Sequence, residues 1–323
     1  MPKPSKARLK GLDIFCGAGG SSAGARAAGV EMVGAIDMSA VAIANYKKNF
    51  PTAKTLVERL EKIDLAILKR RIGKIDILLA SPECTDHTCA KGSAVRRESS
   101  RATAMEAVRF AQFFRPRWIV VENVVHMRPW SRYEELKNSL RQIGYHLAEQ
   151  VLNSAEFGVP QARKRLFLVG DLKKKPGLVR PTRSRKPTTV RSILDPPGRW
   201  KLRPLFQPRR AKGTLERADR AINALGSTKA FLLVYYGTDG SGGWQPLSRP
   251  LRTITTIDRF ALVTPSREGP MIRMLQVDEL KRAMGHRKKF SLPFGTRREK
   301  IRLLGNGVCP PVMKKVIHCL IAD

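Results

Sequence analysis

Two apolar runs limit the fold of this chain more than any other feature: IDILLA at Ile75–Ala80 and WIVV at Trp118–Val121. Each is too short for a buried helix and too unbroken for a strand with one wet face, so each reads as a strand covered on both sides. Such strands need helices on either face, and the flanking segments supply them. Ser21–Ala28 is a helix of small residues closed by Gly29. Ser39 caps a helix that stops before Pro51. Ala104, Ala107, Val108, Ala111 and Phe114 keep helical spacing, and Leu136, Leu140 and Ile143 mark a helix ended by Gly144. Gly11–Phe15, Glu31–Ile36 and Leu166–Val169 add three more strands. The alternation predicts an α/β fold, a doubly wound, mostly parallel, Rossmann-like sheet over the first 170 residues.

After Gly170 the texture changes. Residues 171–220 carry sixteen Lys/Arg against four Asp/Glu, and seven prolines fall between Pro176 and Pro208. Helical periodicity is poor, although Phe231–Tyr236 is an apolar strand followed by a glycine-rich turn, Gly237–Gly243. The last residues return to a helical pattern, with Val312, Val316 and Leu320 on one face. At 323 residues, and ~150 per domain, two units are expected. Residues 1–170 plus 303–323 form the first. Residues 171–302 form a second, smaller, loop-rich and basic one.

Charge bears on partners. Lys and Arg number 61 against 27 Asp and Glu, a formal net charge of +34. A surface this positive releases counterions from a phosphate backbone and binds nucleic acid at moderate salt. No apolar stretch reaches the ~18 residues of a membrane span, and no apolar segment follows the basic N-terminus, so neither a membrane anchor nor a secretory signal is expected. Five cysteines are too few and too odd in number for a disulfide framework. They fit a reducing, cytoplasmic compartment, with nucleoid association in a prokaryote.

Five short segments carry chemistry. Phe15-Cys16-Gly17-Ala18-Gly19-Gly20 joins a strand to a helix, where glycines let a ligand approach the backbone. Asp37 follows at the end of the next strand and suits the two hydroxyls of a ribose. Together they suggest a nucleoside cofactor and leave NAD and S-adenosylmethionine undivided. Ser81-Pro82-Glu83-Cys84-Thr85-Asp86-His87-Thr88-Cys89 follows IDILLA at the sheet edge where ligands bind. Cys84 there is a candidate nucleophile if its thiolate is favoured. The same cluster could be read as metal ligands, but its spacing is not that of a Cys-x2-Cys knuckle, and no second Cys/His pair is near. Glu122-Asn123-Val124 follows WIVV, and a glutamate in such a pocket can hold a proton at neutral pH. Gln161-Ala162-Arg163-Lys164-Arg165 precedes a strand and could bind phosphate or position a reactant, or be a solvated basic run. Gly305-Asn306-Gly307-Val308 opens the last helix.

In this order the segments resemble the DNA (cytosine-5) methyltransferases, and the resemblance covers nearly all of the chain outside roughly 171–245. FCGAGG resembles the family's first cofactor motif, SPEC its Pro-Cys motif, ENV its glutamate motif and QARKR its Gln-x-Arg-x-Arg. RPLRTIT (Arg249–Thr255) is similar to the segment that closes the variable region, and GNGVCPPV (Gly305–Val312) to the last motif. The resemblance implies S-adenosyl-L-methionine as cofactor, held by Phe15, Cys16, Gly17, Ala18, Gly19, Asp37, Met38, Pro82, Asn306 and Val308. It implies Cys84, Glu122, Arg163 and Arg165 as catalytic residues, Asn123, Gln161, Arg249 and Thr253 as substrate-binding residues, and no metal. It further implies duplex DNA as partner, a monomer with no obligate protein partner, and restriction–modification among the settings such an enzyme works in.

The implied chemistry accounts for the residue types. Addition of a thiolate to C6 of cytosine makes C5 nucleophilic, while Glu122 holds N3 and the arginines orient the ring. The base must leave the stack for this, and the basic second unit would hold the opened duplex and read bases from 171–248. The chain departs from the family pattern at Glu83 and Thr85, which flank Cys84, and at Asp37, where glutamate is more usual. Glu83 is expected to point away or to pair with a cation. Glu58 is the candidate for the adenine contact. Alternatives are an RNA cytosine-5 methyltransferase of the same architecture, a non-catalytic nucleic-acid-binding relative, and an NAD oxidoreductase. The last leaves Cys84, Glu122 and the basic unit without a role.

Overall fold

The structure is a computed structural model that describes residues 8–83, 102–181, 187–236 and 242–322. Its larger sheet has seven strands in the order β3-β2-β1-β4-β5-β7-β6. These are β1 Lys10–Ile14, β2 Glu31–Asp37, β3 Lys54–Val57, β4 Ile77–Ala80, β5 Trp118–Asn123, β6 His146–Asn153 and β7 Lys164–Asp171. β3, β2, β1, β4 and β5 run parallel, and β7 is antiparallel to both β5 and β6.

The two apolar runs behave as their composition requires. Every residue of β4 and β5 is buried. Alternate residues face opposite sides: Leu78, Ala80, Ile119 and Val121 enter one core, and Ile77, Leu79, Trp118 and Val120 enter another. The first core is closed by α3 (Leu65–Ile72), α4 (Glu106–Phe114) and α5 (Tyr133–Ile143). The second is closed by α1 (Gly20–Ala27), α2 (Ala40–Asn49) and the last helix, which spans Pro310–Ile321. Ser39 caps α2 by accepting from the Ala42 N–H at 3.3 Å.

Two parts of the sheet differ from expectation. Leu166–Val169 does lie in a strand, but β7 runs antiparallel, and its partner β6 has no counterpart among the expected strands. β6 is an edge strand with mixed burial, so its sequence HLAEQVLN shows no apolar run. Ten residues separate β6 from β7, which suits a hairpin and is too short for a parallel crossover. The four-residue β3 at the other edge escaped notice for the same reason.

The region expected to be loop-rich builds a second sheet, entirely antiparallel, in the order β10-β9-β11-β12-β8. Its strands are β8 Arg203–Pro204, β9 Phe231–Val234, β10 Trp244–Pro246, β11 Phe260–Thr264 and β12 Met271–Met274. Helix α6 (Lys212–Leu225) covers one face through Ala218 and Ala221, against Phe231, Leu233, Ala261 and Val263. The opposite face, with Leu232, Val234, Phe260 and Leu262, joins the same core as Ile77 and Leu79. The two sheets therefore share one apolar interior.

The chain then returns through α7 (Val277–Ala283), α8 (Arg297–Asn306) and α9 (Pro310–Ile321). The small residues of α1 let α9 pack closely on it. A Cβ at Gly24 would lie 2.6 Å from the Met313 Cβ, well inside contact distance.

Candidate active site

A cavity of about 800 Å³ opens at the C-terminal ends of β1, β2, β4 and β5. Ligands bind at this edge in open α/β sheets because the strand order reverses there. Phe15, Cys16, Gly17, Ala18, Asp37, Met38, Pro82, Glu122, Asn123, Arg165, Asn306 and Val308 all line it. Segments from six separate parts of the sequence thus meet in one space.

The glycine turn is held in an unusual backbone shape. Phe15 and Gly17 have φ values of 58° and 52°, in the left-handed region. Phe15 is not a glycine, and this conformation costs about 1 kcal/mol or more, which the surroundings must offset. Two anchors do so: the Cys16 N–H donates to the Ile36 carbonyl at 3.1 Å, and the Gly17 N–H donates to Asp37 Oδ2 at 2.9 Å. Gly19 does not line the cavity; it packs on the rings of Tyr46 and Phe50 and allows the turn to enter α1. Burial pushes the Cys16 thiol well above its ordinary value, so Cys16 contributes backbone and shape rather than a thiolate.

Asp37 ends β2 with its second oxygen accepting from the Ser39 N–H at 2.9 Å. Burial pushes its carboxyl up, the N–H groups of Ser39 and Gly17 pull it back, and the charge of Glu83 adds a smaller push. Glu83 itself lines the cavity. Among the described residues, six carboxyl groups line the space (Asp37, Glu58, Glu61, Glu83, Glu122 and Glu299) against three guanidinium groups (Arg59, Arg165 and Arg302). In a chain of net charge +34, this cavity is locally acidic. It suits a ligand with positive charge and repels a pyrophosphate.

Glu122 lies at the end of β5 and is 4% exposed. Its Oε1 is 3.3 Å from the Arg165 Nε and has no hydrogen-bond partner among the described residues. Burial pushes its carboxyl up, while Arg165 and then Arg163 pull it down. Asn123 beside it donates through Nδ2 to the Pro82 carbonyl at 3.3 Å and accepts the Val124 N–H at 2.7 Å. That pair of bonds ties the turn after β4 to the end of β5. Asn123 thereby positions the two motifs against each other. Cys84, together with Thr85, Asp86, His87 and Cys89, lies outside the described residues.

Other expected site residues sit behind the cavity. Arg163 is 2% exposed and does not line it. Its guanidinium donates to the carbonyls of Ile254 (3.0 Å), Gly305 (2.7 Å) and Gly307 (2.9 Å). Gln161 is fully buried and donates to the Ala283 carbonyl at 3.3 Å while accepting the Ile254 N–H at 2.9 Å. The Thr253 hydroxyl donates to the Ala162 carbonyl at 2.9 Å, and Leu251 bridges to Gln161. Arg249 is exposed and lends its carbonyl to the Val190 N–H at 2.9 Å. QARKR and RPLRTIT are therefore stitched to each other. In these segments only the Arg165 side chain reaches the cavity.

Asn306 closes α8 rather than opening the last helix, which begins at Pro310. Two prolines at its first positions set that start, since proline lacks the N–H that the first turn leaves unused. The sequence reading missed His286 and Phe290, which also line the cavity. They come from the unremarkable string GHRKKF, where no spacing or composition signals a site.

Among solved structures, a methyltransferase of Entamoeba histolytica, EhMeth, superposes with a TM-score of 0.72 at 14% identity, covering 98% of this chain and 99% of that one. A Spodoptera frugiperda DNMT2 variant superposes with a TM-score of 0.68 at 17% identity, covering 97% and 99%. Both likenesses concern the fold. In sequence, the Haemophilus influenzae protein named Type II methyltransferase M.HindV is 33% identical over 198 residues, 58% of this chain and 62% of the relative. The Bacillus subtilis protein named Type II methyltransferase M1.BsuMI is 34% identical over 176 residues, 48% of this chain and 41% of the relative. The aligned part spans about half the length of these curated relatives. Residues 9–322 match the family described as C-5 cytosine-specific DNA methylase, and with that match over nearly the whole chain the protein belongs to this family.

Proposed function

We propose that the protein is a DNA (cytosine-5) methyltransferase. It moves a methyl group from S-adenosyl-L-methionine to C5 of a cytosine flipped out of duplex DNA, at a short specific sequence. The observation that carries this reading is the acidic cavity with Glu122 and Arg165 in its wall. With Glu122 set aside as the protonated group, the other five carboxylates among the described lining residues still outnumber the three guanidinium groups, which fits a sulfonium ligand and disfavours NAD, whose pyrophosphate is doubly negative.

The bound cofactor supplies a methyl group on a positively charged sulfur. Asp37 accepts from the ribose hydroxyls, with both its oxygens already fixed by backbone N–H groups. Phe15 and Met38 give apolar surface, and the Asn306–Val308 strap lines the same space, its Val308 backbone packed directly on Gly20. Cys84 adds as a thiolate to C6 of the cytosine. Glu122, whose burial favours the protonated form, holds N3 through its proton, and Arg165 offers a compensating charge beside it. After methyl transfer, the C5 proton leaves to solvent and the Cys84 thiolate is expelled, giving 5-methylcytosine. Arg163, Gln161, Asn123 and Thr253 act as positioning residues.

Residues 1–170 with 303–323 serve as the catalytic and cofactor unit, and 171–302 as the recognition unit. Helix α8 crosses residue 302 unbroken, so the second boundary is better drawn before Thr296. Lys201, Arg203, Arg209, Lys212 and Arg220 are exposed on the second unit and suit phosphate contacts. The protein acts on DNA as a monomer inside the cell, in a restriction–modification setting. Among the described residues no helix is long and apolar enough to cross a membrane.

The test is nucleoside mass spectrometry of duplex DNA incubated with the protein and S-adenosylmethionine, with RNA in a parallel tube. 5-Methylcytosine in the DNA is the expected result. Product in RNA alone would replace the substrate, and product in neither would overturn the reading.

A further inference from the structure

His286 follows α7, in the segment that carries the chain toward α8. It lines the cavity while being only 8% exposed. Its ring stacks on Phe290, with centroids 3.9 Å apart and planes 21° from parallel. Neither ring nitrogen bonds to a described residue, and Nδ1 is fully enclosed. Burial, with a contribution from Lys281, pushes the imidazole down to about 3, so the ring is neutral at physiological pH. Nδ1 stays without a partner among the described residues, while Nε2 is the ring nitrogen not sealed from the cavity that His286 lines.

The segment around His286 is held in place from two sides. Asn45 of α2 donates to the Phe294 carbonyl (3.1 Å) and accepts the Phe294 N–H (3.2 Å). Asn49, one turn on, makes the same pair of bonds to Ser291 at 2.8 and 3.0 Å. At the other end, a Cβ at Gly285 would lie 2.8 Å from Pro311, and Met284 packs against Gly307. His286 therefore stands at the Asn306–Val308 end of the cavity and is preorganised there.

We propose that His286 is a further binding residue of this cavity, its Nε2–H donating one hydrogen bond to the carboxylate of the amino-acid end of S-adenosylmethionine. This rests on the function proposed above. Nε2 is the nitrogen free to reach a ligand, since Nδ1 is enclosed. A neutral donor suits the carboxylate because it neither repels the nearby ammonium of the same ligand nor needs a counter-charge from the acidic wall. Stacking on Phe290 fixes the ring plane, and so the direction of that bond.

The experiment is calorimetric titration of the full chain, without DNA, with three ligands. These are S-adenosylmethionine, its decarboxylated form, and 5′-methylthioadenosine, which lacks the whole amino-acid end. His286→Phe keeps the ring stack and removes the nitrogens. It is expected to weaken S-adenosylmethionine about tenfold, the loss typical of one hydrogen bond to a charged group. Binding of the other two ligands should stay unchanged. His286→Gln, which places an N–H near the Nε2 position, should recover most of the loss. Should the phenylalanine variant not fold, nitrogen NMR of the native imidazole reads the same contact. The Nε2 resonance should move with S-adenosylmethionine and not with 5′-methylthioadenosine. Equal weakening of all three ligands, or an Nε2 resonance indifferent to the carboxylate, would overturn the proposal. Failure of the native chain to bind any of the three would instead count against the function proposed above.

Discussion

Asp13 offers a quantitative test of how the cavity floor is built. It lies on β1, wholly buried, two residues before the glycine turn. Its Oδ2 accepts a 2.6 Å hydrogen bond from the Ser22 hydroxyl, and the Tyr46 hydroxyl lies 2.7 Å from that same serine oxygen. Its Oδ1 has no hydrogen-bond partner among the described residues. Burial pushes the carboxyl up to about 7; the Ser22 bonds oppose this, and Asp37 adds a little. In the unfolded chain the group titrates near ~4. Below that pH both states hold the proton and nothing changes. Between about 4 and 7 the unfolded chain releases its proton first, so stability falls as pH rises, and above 7 the loss is complete. The whole interval corresponds to about 4 kcal/mol, of which about 3 kcal/mol falls between pH 5 and pH 8.

Asp13→Asn keeps the shape and has no proton to release. The assay is urea unfolding of both proteins, followed by tryptophan fluorescence, at several pH values from 5 to 8. The gap between the two should shift by about 3 kcal/mol in favour of the variant as pH rises, whatever its starting value. Contributions from Asp37, Glu122 and His286 are common to both and cancel. Parallel curves, with a gap constant to about 0.5 kcal/mol, would refute the claim that Asp13 is buried as a neutral acid. A shift of the opposite sign would mean that the fold prefers the carboxylate.

Other predictions concern the walls of the site. Arg163→Lys replaces a fork on three carbonyls by a single ammonium. It should cost about 3 kcal/mol in thermal or chemical unfolding and raise KM for S-adenosylmethionine more than it lowers kcat. Glu122 is raised by burial, and if its protonated form is the working one, methyl transfer is full at low pH and declines as pH rises through its pKa. Glu122→Gln should flatten that limb in a pH–rate profile while lowering the maximum. Asp37→Ala should weaken S-adenosylmethionine in calorimetry by about tenfold or more, and NADH should fail to compete with the cofactor for the native protein. Gly24→Val places carbon within 2.6 Å of the Met313 Cβ and should destabilise the chain by about 3 kcal/mol in urea unfolding.

The parts of the fold legible in advance were those whose side chains have a single environment. Ile77–Ala80 and Trp118–Asn123 are buried on both faces, so their composition alone marks them. Ser39 and Gly144 mark helix ends because capping chemistry is local. β6 and the short strands of the second sheet were not legible. Their residues face one core, solvent or a neighbouring strand by turns, and the register follows from partners far along the chain. The same holds for the site. Phe15–Ala18, Asp37, Glu122 and Arg165 are placed by the ends of their own strands and reach the cavity as expected. Arg163 and Gln161 lie on the same short motif, yet they are drawn away by backbone groups 91 or more residues distant, carbonyls for Arg163 and the Ile254 N–H for Gln161.

The sequence by itself determined the strand–helix alternation, the ligand-bearing edge of the sheet and the excess of positive charge, because each depends on local composition or on a simple sum. Only the tertiary structure decided that this basic chain encloses an acidic cavity, and that QARKR serves partly as a clamp. It alone brought GHRKKF to the cavity wall, through the asparagine pairs of α2. Those outcomes depend on which distant groups meet after the chain closes α9 onto α1, and no window of sequence contains both partners of such a contact.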